Sequence, residues 1–286
     1  MKLKRITAVI LSAVICLCMF SFGASAADAD KKNYLVIGDS IAEGFGISNP
    51  DESAYGRIVA DTNGYNYIND GIMGRNSSTL LKRLTEDESF MADVEWADII
   101  SVSIGGNDFL LDHAPLLIIQ GLVFNDYAKF DKIGETFYDN FSKCMEQIRT
   151  LNPDATVLVQ TIYTAWNTEF SKKPYEQATR RINDSIIKYC EENPENNYVV
   201  DTRDAFAGRP ALISSDTIHP SAEGNVVLAR LVLAKLNEIG LSDTTEPVVN
   251  VKGIDRDYLV EYFPKPIGKI LTFLANLLTG NFRYAR

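Results

Sequence analysis

The chain has 286 residues, of which 46% are hydrophobic and 23% charged. That composition excludes wholesale disorder and is enough to bury the core of one large domain. The formal charge of −10 excludes a general affinity for nucleic acid or anionic lipid surfaces, which repel an acidic protein.

Lys2, Lys4 and Arg5 open the chain, an uncharged apolar run follows from Ile6 to Phe22, and Ala24-Ser25-Ala26 places small residues where a signal peptidase reads. This pattern predicts a secretory signal peptide over residues 1–26. The run is short for the ~20 apolar residues a membrane anchor requires. Export removes three of the 28 basic residues and none of the 38 acidic ones, deepening the charge from −10 to −13. It also removes Cys16 and Cys18, leaving Cys144 and Cys190.

Five short apolar runs then read as strands: Asn33 to Ile37 ending in Gly38, Tyr65 to Asn69, Ala97 to Ile104, Thr156 to Thr161, and Tyr198 to Asp201. They are continuous and β-branched rather than alternating, as buried parallel strands are. Helical spacing fills the gaps: Phe137, Phe141, Cys144, Met145 and Ile148; Ile182, Ile186, Ile187 and Cys190; Val227, Leu228, Leu231, Val232 and Leu236. Repeated strand–helix–strand units predict a parallel sheet between two helical layers. Right-handed crossovers put the helices bearing Cys144 and Cys190 on one face as neighbours. A disulfide between them and a pair of buried thiols both stay open.

Two segments exceed a minimal α/β sandwich. Residues 109–133 form a long apolar insertion, which is either part of a substrate wall or a helical excursion packed on the body. Ser242 to Pro247 reads as a linker. Beyond it, Ile267, Ile270, Leu271, Leu274, Leu277 and Leu278 share one face of a helix ending near Gly280. That helix either docks on the domain, or acts as a lid, or makes a weak membrane-interface or partner contact. The expected division is thus 1–26 leader, 27–241 domain, and 242–286 linker and amphipathic tail.

The chemistry-bearing residues fall where strands end. Gly38-Asp39-Ser40 follows the first strand, the edge at which open α/β sheets bind ligands, and Gly38 permits a close turn. Gly74 follows the second strand as either an open backbone N–H or a plain loop glycine. Asn107, in Gly105-Gly106-Asn107-Asp108 after the third, either donates to a developing oxyanion or closes an Asx-turn. Tyr163 and Trp166, after the fourth, line a cleft or belong to the core. Asp216-Thr217-Ile218-His219-Pro220 precedes the last helix, with the carboxylate three residues from an imidazole that suits general-base work near neutral pH. The other histidine, His113, lies in the insertion and reads as a surface or packing residue. Two distant cysteines and two histidines give no zinc spacing. Gly-x-Ser-x-Gly, His-Glu-x-x-His, phosphate-loop and dinucleotide fingerprints are all absent.

In this order, Gly-Asp-Ser, the second-block glycine, Gly-x-Asn-Asp and Asp-x-x-His resemble the SGNH or GDSL-type hydrolases, over roughly Tyr34 to Leu236. The resemblance implies a flavodoxin-like three-layer α/β/α domain with a five-stranded parallel sheet. It implies a serine esterase or lipase with Ser40 as nucleophile, His219 as base and Asp216 orienting the imidazole. The oxyanion would be held by the N–H groups of Ser40 and Gly74 and the amide of Asn107, with no metal or organic cofactor. Arg75 departs from the acidic or small polar residue of many relatives, which leaves open whether it aims a charge at substrate. Asp39 and Asp108 read as braces for their loops.

Acyl lipids or lysophospholipids and acetylated carbohydrates are the expected ester classes. The alternatives are a catalytically silent extracellular module binding glycan or lipid on the same fold, and a membrane-associated structural protein built around the tail helix.

Overall fold

The computed structural model describes residues 31–110, 117, 120, 121, 123–164, 169–214, 216 and 218–249. The leader at 1–26, His113, Trp166 and the tail helix lie outside the described residues. Five strands, β1 (Asn33–Gly38), β2 (Asn66–Gly71), β3 (Ile99–Ser103), β4 (Thr156–Gln160) and β5 (Asn197–Val200), form one parallel sheet in the order β2-β1-β3-β4-β5. This is the flavodoxin-like order.

Alternation along the inner strands sorts the core into two layers. From β1, Tyr34 and Val36 join one cluster and Leu35 and Ile37 the other. In β4, Leu158 faces the first, and Val157 and Val159 the second. The first layer packs under helices α3 (Tyr55–Asn63) and α9 (Ala222–Glu238), through residues such as Ile58, Val59, Leu228 and Val232. The second packs under α4 (Ser77–Glu86), α5 (Glu88–Trp96), α7 (Ala128–Leu151) and the C-terminal part of α8 (Glu169–Glu192). Three short α-helices, α1 (Ser40–Glu43), α2 (Pro50–Ser53) and α6 (Gly106–Leu110), and a 3-10 turn at Pro210–Leu212 also lie among the described residues. No helix among the described residues is long and apolar enough to cross a membrane.

Local sequence sets the helix ends. Asn76 and Thr79 form a reciprocal capping box on α4, Asp87 caps α5 by accepting from Phe90 N at 3.2 Å, and Ser221 caps α9 by accepting from Gly224 N at 3.2 Å. Helix α7 buries Phe130, Gly134, Phe137, Phe141, Cys144, Met145 and Ile148, one stripe at helical spacing.

The structure refines three expectations. β2 is a polar edge strand with no fully buried residue, so it lacks the continuous apolar run of β1 and β3. Cys144 and Cys190 share one core cluster on neighbouring helices, yet both are free, buried thiols. Burial raises them to about 12 and about 11, which makes them poor nucleophiles. The described part of the 109–133 insertion packs on the body. Phe109 stands edge-on to Phe130 at 5.3 Å and Leu117 is buried, whereas Val123 and Phe124 are exposed.

The 242–247 linker is tied down rather than free. Asn237 Nδ2 donates to the Ser242 carbonyl at 2.8 Å, and Val248 N donates to Thr62 Oγ1 at 2.9 Å.

One contact fixes the sheet edge. Asp39 N donates to the carbonyl of Ser103 at 2.9 Å, joining the ends of β1 and β3. Gly38 has φ +138°, and a Cβ there would lie 1.9 Å from that same carbonyl oxygen. Gly38→Ala is therefore expected to cost at least about 3 kcal/mol, combining forbidden backbone with overpacking. Urea unfolding checks this; an unchanged midpoint would refute the close approach.

Candidate functional site

The chain leaves β1 toward β2 and leaves β3 in the opposite direction, so a crevice opens between their carboxyl ends. Both motif loops flank it. Ser40 is the first residue of α1. Asp39 caps that helix by accepting from Ile41 N at 3.0 Å, and Gly44 ends it with φ +80°.

Opposite stands the loop preceding α9. Ile213 and Pro220 form an antiparallel bridge, flanked by Ser214 N donating to His219 O at 2.8 Å and Ser221 N to Leu212 O at 2.8 Å. The bridge turns Asp216 and His219 back on each other. Asp216 Oδ1 accepts from the backbone N–H of Ile218 and of His219, each at 3.0 Å, and from Ser214 Oγ at 2.7 Å. Its Oδ2 bonds His219 Nδ1.

His219 Nε2 lies 2.8 Å from Ser40 Oγ. Burial alone would raise Asp216, but its bonds to His219 and the loop N–H groups outweigh burial and hold it below the usual carboxylate range. Ionised Asp216 only accepts, so Nδ1 carries the imidazole proton and Nε2 accepts from the serine hydroxyl. The Phe45 ring stands edge-on to His219, centroids 4.8 Å apart.

The second-block loop is pinned to both sides of the crevice. Ile72 N donates to Gly38 O at 3.1 Å, Met73 N donates to Glu43 Oε2 at 2.7 Å, and Asn107 Nδ2 donates to Arg75 O at 2.9 Å. Gly74 has φ +79°, and a Cβ there would meet nothing within 4 Å. Asn107 thus uses one amide hydrogen to hold the loop, leaving its second for another acceptor.

Arg75 is turned inward. It is buried, its Nη1 donates to Asp70 O at 2.7 Å, and its guanidinium sits 5.6 Å from the Phe90 ring centroid. Burial, with repulsion from Arg83, lowers it to about 10. Asp108 braces the start of α4, accepting from Ser77 N at 3.0 Å and from the Ser77 hydroxyl.

Two further residues support the site. Tyr163 is buried, and its hydroxyl donates to Ile218 O at 2.8 Å, supporting the histidine loop from beneath. Only its place after β4 could have signalled this. Asp39 is buried directly beside the serine, and Ser103 Oγ donates to it at 3.4 Å. Burial raises the Asp39 carboxyl to about 6, against the opposing pull of the Ile41 N–H, His219 and Ser103. Among the described residues no cluster of three or more His, Cys, Asp or Glu could hold a metal ion.

Because the native state binds the Asp39 proton more tightly than the unfolded chain, this group's stabilisation is full below its unfolded value of 3.8. It is lost as pH rises through about 6. Asp39→Asn keeps the cap's shape and removes the titration. Relative to the variant, the natural protein is expected to lose about 1–3 kcal/mol of unfolding free energy between pH 4 and pH 7. Parallel pH profiles for the two proteins would contradict the buried-carboxylate assignment.

The GDSL-like Lipase/Acylhydrolase family matches residues 36–227. Three of the solved structures that share the fold show the range of the likeness. The lipase Lip_vut3 from a goat rumen metagenome is 23% identical, over 74% of this chain and 99% of that one, with TM-score 0.58. A catalytic mutant of Axe2, an acetylxylan esterase from Geobacillus stearothermophilus, is 23% identical over 73% and 94%, with TM-score 0.54. Phospholipase A1 from Streptomyces albidoflavus NA297 is 19% identical over 72% and 100%, with TM-score 0.56. No match is found among curated proteins.

Proposed function

Because the chain belongs to the GDSL-like lipase/acylhydrolase family, whose members are carboxylic ester hydrolases, we propose that it is an exported serine esterase acting through Ser40, His219 and Asp216. The observation that carries this reading is the unbroken hydrogen-bonded line from Ser40 Oγ through the imidazole to Asp216. A serine hydroxyl is a weak nucleophile unless a base removes its proton as it attacks.

In the first half-reaction Ser40 Oγ bonds the acyl carbon while His219 Nε2 takes the hydroxyl proton. The carbonyl oxygen gains negative charge, held by the N–H groups of Ser40 and Gly74 and the free amide hydrogen of Asn107. Asp216 stabilises the imidazolium. The carbon–alkoxide bond then breaks, and His219 passes its proton to the leaving alcohol. In the second half, water attacks the acyl-enzyme, His219 takes a water proton, and the acid departs as that proton returns to Ser40. No step calls on a metal or organic cofactor.

Acyl lipids, including lysophospholipids, and acetylated carbohydrates both suit this site. The fold is shared with a phospholipase A1 and an acetylxylan esterase, which support one class each.

The protein lacking residues 1–26 is expected to release 4-nitrophenol from acetate, butyrate, octanoate or palmitate esters. Ser40→Ala should lose at least about 10³-fold in turnover and Asn107→Ala about 10²–10³-fold. A folded protein without turnover on any ester, and without labelling by a fluorophosphonate, would sink the esterase reading and favour a glycan- or lipid-binding module.

The basic start, apolar run and Ala24-Ser25-Ala26 support export. Expression of the full chain in a secreting bacterial host should place the protein in the medium with Ala27 as its first residue. Retention of an intact leader in the membrane would instead indicate an anchor.

A further inference from the structure

Arg75 follows Gly74 in the second-block loop, yet its side chain runs into the body of the protein. The residue is 5% exposed. Its Nη1 donates at 2.7 Å to the carbonyl of Asp70, near the end of β2, and its guanidinium lies 5.6 Å from the centroid of the Phe90 ring of α5. Arg83 repels the charge, Asp70, Asp39 and Asp87 attract it, and Nη2 has no partner among the described residues. Burying a guanidinium in this way is costly, and an apolar side chain of similar volume commonly fills such a place as well or better. Packing alone therefore gives no reason for an arginine here.

The reason lies in the backbone of residue 75. Two bonds tie it back toward β2: Arg75 N donates to the Ile72 carbonyl at 3.2 Å, and Nη1 donates to the Asp70 carbonyl. The first closes a turn whose third residue is Gly74, at φ +79°. The carbonyl of Arg75 then accepts from Asn107 Nδ2 at 2.9 Å. Both hydrogens of an asparagine amide sit on one planar nitrogen, so the direction of the bonded hydrogen fixes that of the free one. A shift of the Arg75 carbonyl would turn the amide and re-aim its free hydrogen.

We propose that Arg75 is a positioning residue for the oxyanion hole: its buried side chain anchors the Arg75 carbonyl, which aims the free amide hydrogen of Asn107 at the acyl carbonyl oxygen. The inference rests on the esterase reading. In it Arg75 itself touches no substrate.

The test is a double-mutant cycle of Arg75→Met and Asn107→Ala, with Arg75→Lys beside it, read as kcat and KM on 4-nitrophenyl butyrate. Arg75→Met is expected to lower kcat about tenfold or more with KM changed less than about threefold, since a misplacement of about 1 Å can cost about 10²-fold. Its thermal unfolding should stay close to that of the natural protein. Arg75→Lys, which can make the single bond to the Asp70 carbonyl, should recover most of the loss. In the Asn107→Ala background Arg75→Met should lower kcat by less than about threefold, because the donor it aims is gone. If Arg75→Met does not fold, Phe90→Leu takes its place in the cycle, with a kcat loss that again disappears in the Asn107→Ala background. Equal losses in both backgrounds, a loss lying in KM, or an unchanged kcat would overturn the positioning role while leaving the esterase intact. Absence of any esterase activity in the natural protein would remove the esterase reading and the positioning role together.

Discussion

The joint between β1 and β3 governs everything at the sheet's carboxyl edge. Asp39 N reaches the Ser103 carbonyl only because residue 38 has no side chain and adopts a left-handed φ. That one contact sets where α1 begins, and α1 begins with Ser40. The same strand ending supplies Gly38 O to Ile72, so the second-block loop takes its position from the same turn. Asn107, four residues beyond β3, then closes on the Arg75 carbonyl. Three loops from three strands are thus registered against one another by two backbone bonds and one side-chain amide.

Two carboxylates near the serine are held in opposite ways. Asp216 is half-surrounded by donors and stays ionised, so it can face a positive imidazolium. Asp39 has fewer donors and is buried, and its charge is disfavoured. Asp39 functions through shape, capping a four-residue helix that could not hold its place unaided.

Much of this was legible in the chain. β1, β3 and β4 announce themselves because buried parallel strands need apolar side chains on both faces, and the motif residues follow those strands directly. β2 was harder, because an edge strand with one neighbour need not be apolar. The inward turn of Arg75 had no local signal, since its partner Phe90 comes from the next helix but one in the chain. Tyr163 was readable only as an aromatic residue after a strand; its bond to Ile218 spans 55 positions. The cysteines were correctly placed on neighbouring helices, but neighbouring axes do not bring two sulfurs together, and burial alone accounts for them.

The pairing of Ser40 with His219 spans 179 positions, and the histidine loop is fixed only when α9 packs behind it, with Gly224 fitted against the Leu212 carbonyl. The serine and the histidine therefore come from opposite ends of the domain's own synthesis. A nascent chain holds an isolated serine hydroxyl with no imidazole beside it. The line from Ser40 to Asp216 forms only with the completion of the fold.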